Sequence, residues 1–299
     1  MNPNFSTQFG QKKTQNDPFW VRCLLTGSAI VLLTILVIVP LISVYKEALN
    51  DGVIAYFETL FDDADAGSAI RLTLLVAPCS VLLNTIFGVI AAWLLSRFRF
   101  TGRGILSVLI DIPFAVSPVV AGLMFVLLFG ATGFFGPWLR QQGWQILFEF
   151  PALVIATTFT TLPFVVRELI PVLEAIGPEE EFAAVSLGAS PWQIFRQITL
   201  PNIKWGLLYG IILCNARAMG EFGAVYVVSG HIAQETNTMP LQIEQFFQGF
   251  QSRSAFALAS VLTFLAIVSL ILKVMVEKQV RSTMKSVSQG HTGSHSQSE

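Results

Sequence analysis

The chain has 299 residues, of which 53% are hydrophobic and only 12% are charged. Ordinary soluble domains contain about 25% charged residues, so this composition predicts a membrane protein. A formal net charge of −1 excludes a broadly basic nucleic-acid-binding protein. Cys23, Cys79 and Cys214 lie far apart in apolar runs, match no metal-binding or disulfide spacing, and are expected to be buried thiols.

Six apolar segments are long enough to cross a membrane, which takes about 17–25 residues. They cover about 22–44, 70–96, 105–130, 150–173, 204–229 and 254–276. The first is longer than the apolar core of a signal peptide, so it is expected to be retained. The fold class is therefore predicted as an all-α membrane protein with six transmembrane helices.

The same pattern predicts the organisation of the chain. Residues 1–18 are expected to be a flexible cytoplasmic tail, and residues 20–65 to hold the first transmembrane helix and an outer loop. Residues 66–276 are expected to hold the other five spans as one core, and residues 282–299, rich in Ser, Gly, His and Gln, are expected to be disordered.

The positive charges predict the orientation. If the N-terminus is cytoplasmic, 13 of the 18 Lys and Arg residues fall on the cytoplasmic side and 4 on the outer side. Because short cytoplasmic loops carry an excess of Lys and Arg, both termini are predicted to be cytoplasmic.

One polar interruption separates the fourth and fifth predicted spans: residues 177–201, GPEEEFAAVSLGASPWQIFRQITLP. Pro178 suits the first position of a helix, and the three glutamates after it suit the positive end of the helix dipole. Gly188 suits the left-handed residue that follows a helix end. The pattern predicts one short helix before Gly188, on the cytoplasmic side.

A second short helix is predicted directly after it. Ser190–Pro191 is typical of a helix cap and a first helical residue. Apolar side chains then recur every three residues and give this helix one apolar face: Trp192, Phe195 and Ile198. The proline in Leu200–Pro201 is expected to end the helix.

The fifth predicted span contains charges that a membrane disfavours by about 2.5–3.5 kcal/mol each. Arg217 and Glu221 stand four residues apart and are expected to share a helix face. One interpretation is an ion pair that packs the bundle. The other is a water-filled path in which Arg217 helps an anion to pass and Glu221 keeps it from being trapped, with Asn215 adding polarity.

The third predicted span is interrupted by Pro113 and Pro118, which suggests a kinked helix. Asp111 and Ser117 in this span are candidate residues of the translocation path, although a purely structural kink is an alternative. In the fourth span, Arg167 is expected to reach the cytoplasmic surface or to pair with residues 177–201, a gating role being the alternative.

The sequence contains no Gly-Lys pair and hence no phosphate-binding loop of the G-x-x-x-x-G-K-[ST] type. A transporter built on this chain needs an ion gradient or a separate ATPase. A gradient-driven transporter or channel would need no segment like 177–201, and inverted repeats are not visible. A membrane-embedded enzyme is a further alternative, but the sequence contains no recognisable set of catalytic residues. A membrane scaffold without transport activity would not explain the charges in the fifth span.

The segment 177–201 resembles the cytoplasmic signature of binding-protein-dependent ABC import permeases: Glu-Ala-Ala, three residues, Gly, nine residues, Ile-x-Leu-Pro. The matching residues are Ala183, Ala184, Gly188, Ile198, Leu200 and Pro201. Phe182 stands where the signature has glutamate, and Glu181 precedes it by one residue. By resemblance, this segment is a coupling helix that inserts into a groove of the ATP-binding subunit. Its expected apolar anchors are Phe182, Trp192 and Phe195.

Within that family, the chain resembles the sulfate/thiosulfate permeases. The stretches LIDIPFAVSPVVAGL, TLPFVVRELIPV, SLGASPWQIFRQITLPNI, NARAMGEFGAVYVVSG and ETNTMPLQIE occur in the same order. The resemblance implies a type I ABC importer permease fold and inward transport of sulfate or thiosulfate by alternating access. It implies no ATPase site on this chain and no cofactor. Molybdate or tungstate is the alternative substrate.

The resemblance also implies the partners. They are a homologous T-type permease, two copies of an ABC ATP-binding subunit and a periplasmic sulfate-binding protein. The complex would lie in the bacterial inner membrane, in contact with lipid and without nucleic acid.

Overall fold

The computed structural model describes residues 19–295, with side chains for residues 19–279. All regular elements in this range are helical. The described chain divides into two compact units, one that ends at Glu47 and one that begins at Ala48. The predicted flexible tail 1–18 lies outside the described residues.

The described part of the first unit is one helical stretch. Helix α1 (Phe19–Leu33) continues through a π-helical turn (Thr34–Ile38) into α2 (Val39–Ala48). The turn comes directly before Val39–Pro40. Because proline has no N–H to donate, the wider π turn accommodates it without ending the helix.

The remaining described helices belong to the second unit. The long ones are α4 (Ala64–Arg97), α8 (Phe150–Ile176), α11 (Leu200–Met219) and α14 (Ser252–His295). The short ones are α3 (Val53–Phe61), α5 (Arg103–Ala115), α6 (Pro118–Phe129), α7 (Gly136–Gln141), α9 (Glu179–Ser186), α10 (Pro191–Ile194), α12 (Gly223–Val228) and α13 (Met239–Gln248). A second π-helical turn, Phe195–Thr199, joins α10 to α11.

Four helical stretches of the described chain are long and apolar enough to cross a membrane: Phe19–Ala48, Ala64–Arg97, Phe150–Ile176 and Ser252–Gln279. Helices α5 and α6 make a fifth if they count as one span, although they are bent by 109°. The predicted span 204–229 corresponds to α11 and α12, whose charged and amide side chains lower its hydropathy. The count of six spans stays a prediction.

The kink predicted in the third span is a sharp break. Ser117 has an extended ψ of 134° and precedes Pro118, the first residue of α6. A residue before proline is disfavoured in the helical conformation, which explains the position of the break. Pro113, by contrast, stays inside α5 and is buried.

The core of the second unit forms where α4, α8 and α11 pack together. Glycines allow the helices to approach closely. A Cβ at Gly88 of α4 would lie 2.6 Å from Val165 Cγ1 of α8, and one at Gly206 of α11 would lie 2.8 Å from Val172 Cγ2. Membrane helices associate through such small residues because lipid supplies no hydrophobic drive between them.

Two helix ends differ from the predictions. Leu200–Pro201 does not end the second short helix, because the π turn at Phe195–Thr199 carries the chain directly into α11. Helix α14 continues to His295, beyond residue 276, where the sixth span was predicted to end. The disorder expected for residues 282–299 stays a prediction, and residues 296–299 lie outside the described residues. No glycine or proline interrupts the sequence between Ser252 and Gln289, so nothing in the backbone stops this helix earlier.

The cysteines also differ in part. Cys214 is buried as predicted, whereas Cys23 and Cys79 are exposed on the surface of the chain. In a membrane protein, an apolar residue satisfies the hydrophobic effect by facing lipid, so an apolar run does not imply burial inside the chain.

Candidate functional site

The segment 177–201 begins with the predicted short helix α9. The four-residue α10 follows, and it continues through the π turn into α11 instead of ending as a separate helix. Helix α9 has its three glutamates in the first turn, with Pro178 one position earlier than predicted, at the cap. Gly188 has a φ of +84° just after α9 and so occupies the left-handed position. Ser190 caps α10: its Oγ accepts a hydrogen bond from the Gln193 N–H at 3.4 Å, and its own N–H donates to Gln193 Oε1 at 2.8 Å.

Segment 177–201 carries four large apolar side chains that the described part of the chain leaves exposed. They are Phe182 (65% exposed), Val185 (58%), Leu187 (88%) and Trp192 (67%), which we call the apolar face. The sequence predicted Phe182 and Trp192 as anchors but missed Val185 and Leu187. The three-residue spacing from Phe182 to Val185 on a helix was the available signal.

The other side of the segment packs against the membrane helices. Phe195, the third predicted anchor, is half-buried, with its ring 6.2 Å from that of Trp93 in α4 and 5.8 Å from that of Trp192. Ile198 and Leu200 are also half-buried. These residues support the segment from beneath, so the apolar face rests on a packed base.

The remaining signature residues are distributed between the two sides. Ala184 is half-buried, and Ala183 and Pro201 are exposed. Glu181 points to the packed side, where it contacts Arg97 of α4. The carboxylate next to Phe182 therefore does not belong to the apolar face.

A second group of predicted residues lies where two broken helices meet. Helix α11 ends at Met219 and α12 begins at Gly223, so the predicted fifth span is broken, a feature that the sequence reasoning missed. A Cβ at Gly223 would lie 2.9 Å from Pro118 Cβ, at the break between α5 and α6. A Cβ at Gly122 would lie 2.7 Å from Val227 Cβ. We call this contact between the two breaks the helix junction.

Arg217 and Glu221 form an ion pair at the helix junction. Arg217 Nη1 lies 2.9 Å from Glu221 Oε2. The Glu221 side chain is 1% exposed, whereas that of Arg217 is 38% exposed. Glu221 Oε1 also accepts a hydrogen bond from the Ala224 N–H at 3.2 Å, so Glu221 joins the broken ends as well as pairing with Arg217.

The other predicted path residues lie apart from that pair. Asp111 accepts a hydrogen bond at 2.7 Å from Arg167 Nε of α8, a pairing that the sequence did not predict. Ser117 is exposed at the break between α5 and α6. Asn215 is half-buried and approaches Met219 Sδ at 3.9 Å.

One buried polar cluster was missed by the sequence reasoning. Asn237 donates to Gln242 Oε1 at 2.9 Å, and the Met239 N–H donates to Thr73 Oγ1 of α4 at 2.8 Å. Ser229 Oγ donates to Thr236 O at 2.9 Å. The cluster fixes the loop between α12 and α13, and the polar run ETNT in the sequence was its signal.

A comparison with protein families identifies the family of the chain. Residues 84–282 match the model of the binding-protein-dependent transport system inner membrane component family. The chain belongs to this family. The permease is thus a membrane subunit of a binding-protein-dependent transport system, and this confirms the family resemblance drawn from the sequence.

Two individual relatives of the permease are sulfate transport permeases. It is 50% identical to the sulfate transport system permease protein CysW of Synechocystis, over 87% of this chain and 94% of the relative. It is 37% identical to the sulfate transport system permease protein CysT of Escherichia coli, over 79% of this chain and 85% of the relative.

Among solved structures, the permease is similar to a chain of a bacterial alginate ABC transporter. The TM-score is 0.68 with 20% sequence identity, over 89% of this chain and 96% of the solved one. At this identity the similarity concerns the fold alone. It confirms the predicted fold of an ABC importer permease.

Proposed function

We propose that the permease carries sulfate or thiosulfate inward through an ATP-driven complex. Support for the substrate comes from the 50% identity to a sulfate transport permease over 87% of the chain. Identity is lower to the T-type relative, 37%, which favours a W-type role beside a T-type partner. A periplasmic sulfate-binding protein delivers the anion in this proposal.

The apolar face is the site where an ATP-binding subunit docks. Four large apolar side chains exposed on a segment with polar surroundings are typical of a protein interface, since aromatic residues in pockets dominate interface energies. One such segment on each of two permeases corresponds to two ATPase copies. The packed base, to which Phe195 belongs, supports this role, because a firmly packed segment transmits motion better than a loose loop does.

The apolar face and both termini are on the cytoplasmic side of the inner membrane in this proposal. The support is the excess of Lys and Arg predicted on that side, which follows the rule for short cytoplasmic loops. ATP binding closes the ATPase pair, the segment moves with it, and the paired permeases open outward.

The helix junction lines the path of the anion. Arg217 is half-exposed and paired, so it offers an anion a transient attraction rather than a tight site. Discontinuous helices in transporters supply polar groups in the middle of the membrane. Asp111 with Arg167, Ser117 and Asn215 extend the polar lining in this proposal.

The test is transport by the complex in proteoliposomes. The permease is reconstituted with a T-type permease, the ATP-binding subunit and the binding protein, and ATP-dependent uptake of radiolabelled sulfate is measured with thiosulfate and molybdate as competitors. Uptake that requires ATP and is inhibited by thiosulfate supports the proposal. Uptake of molybdate in place of sulfate would assign the alternative substrate and overturn this one.

A substitution at Arg217 tests its proposed role in the path of the anion. Arg217→Gln is expected to reduce sulfate uptake while the four subunits still assemble. Arg253→Gln is the matched control, since Arg253 is also half-exposed and paired, with Asp51 at 3.8 Å. Equal uptake by both variants and the unmodified complex would contradict the role of Arg217.

A further inference from the structure

Arg97 at the C-terminal end of α4 joins three parts of the chain. Its Nε donates to Glu181 Oε2 at 3.0 Å, its Nη1 to Leu173 O at 2.9 Å and its Nη2 to Gly177 O at 2.7 Å. The two carbonyls belong to the end of α8. Leu173 O also accepts a hydrogen bond from the Gly177 N–H at 3.3 Å, and Gly177 O lies just beyond the last helical residue. One guanidinium therefore holds the end of α8 and the start of α9 together.

Glu181 uses both of its carboxylate oxygens on this side. Oε2 accepts from Arg97, and Oε1 accepts from the Thr199 hydroxyl at 3.0 Å, in the π turn before α11. The side chains of Arg97 and Glu181 are only 9% and 14% exposed. Glu179 and Glu180, the other two glutamates of the first turn, are exposed. Glu180 also reaches α11, where its Oε2 accepts a hydrogen bond from Asn202 Nδ2 at 2.6 Å. Of the three glutamates in the first turn, only Glu181 pairs with Arg97 and is shielded from solvent.

Arg97 and Glu181 together contact each helix that would have to move if segment 177–201 were displaced. Arg97 ends α4, Leu173 and Gly177 end α8, Glu181 lies in α9, and Thr199 leads into α11. A charge pair with so little solvent access is weakly screened, and a fork of guanidinium hydrogen bonds fixes orientation as well as distance. A segment held only by apolar contacts could slide or hinge.

We infer that Arg97 and Glu181 are positioning residues that fix segment 177–201 to the ends of α4 and α8, so that a displacement of the apolar face moves the membrane helices. The inference rests on the proposed function, since it assumes that an ATPase moves this segment. It assigns Glu181 to coupling inside the permease. Binding of the ATPase depends instead on the apolar face, which Glu181 does not join.

The test compares Glu181→Gln and Arg97→Gln with the control Glu179→Gln in the reconstituted complex. Three quantities are measured: recovery of the ATP-binding subunit with the permease, basal ATP hydrolysis, and sulfate moved per ATP hydrolysed. Recovery and basal hydrolysis are expected to stay unchanged. The sulfate moved per ATP is expected to fall by about tenfold or more, because a hydrogen bond to a charged group exceeds the free energy of a tenfold factor.

The double variant Arg97→Gln with Glu181→Gln distinguishes one joint from two independent contacts. If the residues act together, the double variant transports no worse than either single variant. An additive loss would overturn the inference. Loss of the ATP-binding subunit from the Glu181→Gln complex would also overturn it, because Glu181 would then belong to the docking site.

The outcome separates this inference from the function on which it rests. If the unmodified permease neither binds the ATPase nor transports sulfate, the proposed function fails. If the unmodified complex transports and Glu181→Gln behaves like Glu179→Gln, only the positioning role fails. Destabilisation alone is detected by a lower unfolding midpoint of the permease purified without the ATP-binding subunit. Glu181→Asp, which keeps the charge, is expected to recover part of the coupling where Glu181→Gln does not.

Discussion

Replacing Gly122 with valine is expected to force the helix junction apart. A Cβ at position 122 would lie 2.7 Å from Val227 Cβ and 2.9 Å from the backbone oxygen of Ala224. The first neighbour can move only with its backbone, and the second is itself backbone. Helices α6 and α12 must therefore separate to accommodate the new side chain.

The magnitude follows from two opposing effects. Overpacking a tight site costs about 1–3 kcal/mol, and contact with backbone on α12 favours the upper end of this range. Valine is a better helix former than glycine by roughly 0.5 kcal/mol, which offsets a small part. The net loss of unfolding free energy is about 2 kcal/mol, equivalent to a decrease of roughly 4–8 °C in the unfolding midpoint.

The assay is thermal unfolding of the purified permease in detergent, followed by sulfate uptake in proteoliposomes. Gly104→Val in α5 is the matched control, since a Cβ at Gly104 has nothing within 4 Å. The control is expected to unfold at the temperature of the unmodified protein or slightly above. An unfolding midpoint of Gly122→Val equal to that of Gly104→Val, with normal uptake, would refute the close packing of the junction.

Three further substitutions have defined outcomes. Gly188→Val places a β-branched residue at a φ of +84°. The permease is expected to insert into the membrane but to lose ATP-coupled uptake. Normal uptake would show that Gly188 has no role in coupling. Asp111→Asn should change the unfolding free energy by less than about 1 kcal/mol, because its pair with Arg167 is half-exposed; a larger shift of the midpoint would show that the pair is shielded. Asn84→Ala removes two buried hydrogen bonds to α8 and should cost about 2 kcal/mol, and an unchanged midpoint would contradict their contribution.

Local signals predicted the short helices because each depends on neighbouring residues. The cap at Ser190, the left-handed glycine at 188 and the glutamates of the first turn need no tertiary contact to be read. The same reasoning failed at Leu200–Pro201, where a proline usually ends a helix. Here a π turn accommodates the proline without ending the helix. A π turn occurs in the same place relative to Pro40 and to Pro201, so the same geometry accommodates both prolines.

Long-range pairings could not be read from the sequence. Arg97 and Glu181 are 84 residues apart, and Asp111 and Arg167 are 56 apart. No periodicity relates such positions, because the pairing depends on where α4, α5 and α8 end beside one another. The break after Met219 was missed for a similar reason: Gly220 is tolerated inside a helix, and the break is stabilised by Glu221, which accepts from the Ala224 N–H.

The orientation of α9 explains why the displaced glutamate of the signature matters. Successive residues of a helix are rotated by about 100°, so that neighbouring positions face different directions. Phe182 faces outward and Glu181 faces inward to Arg97. Shifting the carboxylate by one residue thus moves it from the apolar face to the packed side of the segment and leaves an aromatic ring in its former position. If coupling in this permease depends on that arrangement, exchanging the two residues, so that Glu occupies 182 and Phe occupies 181, should disturb both surfaces at once: the ATP-binding subunit should be recovered in lower yield, and Arg97 should lose its partner.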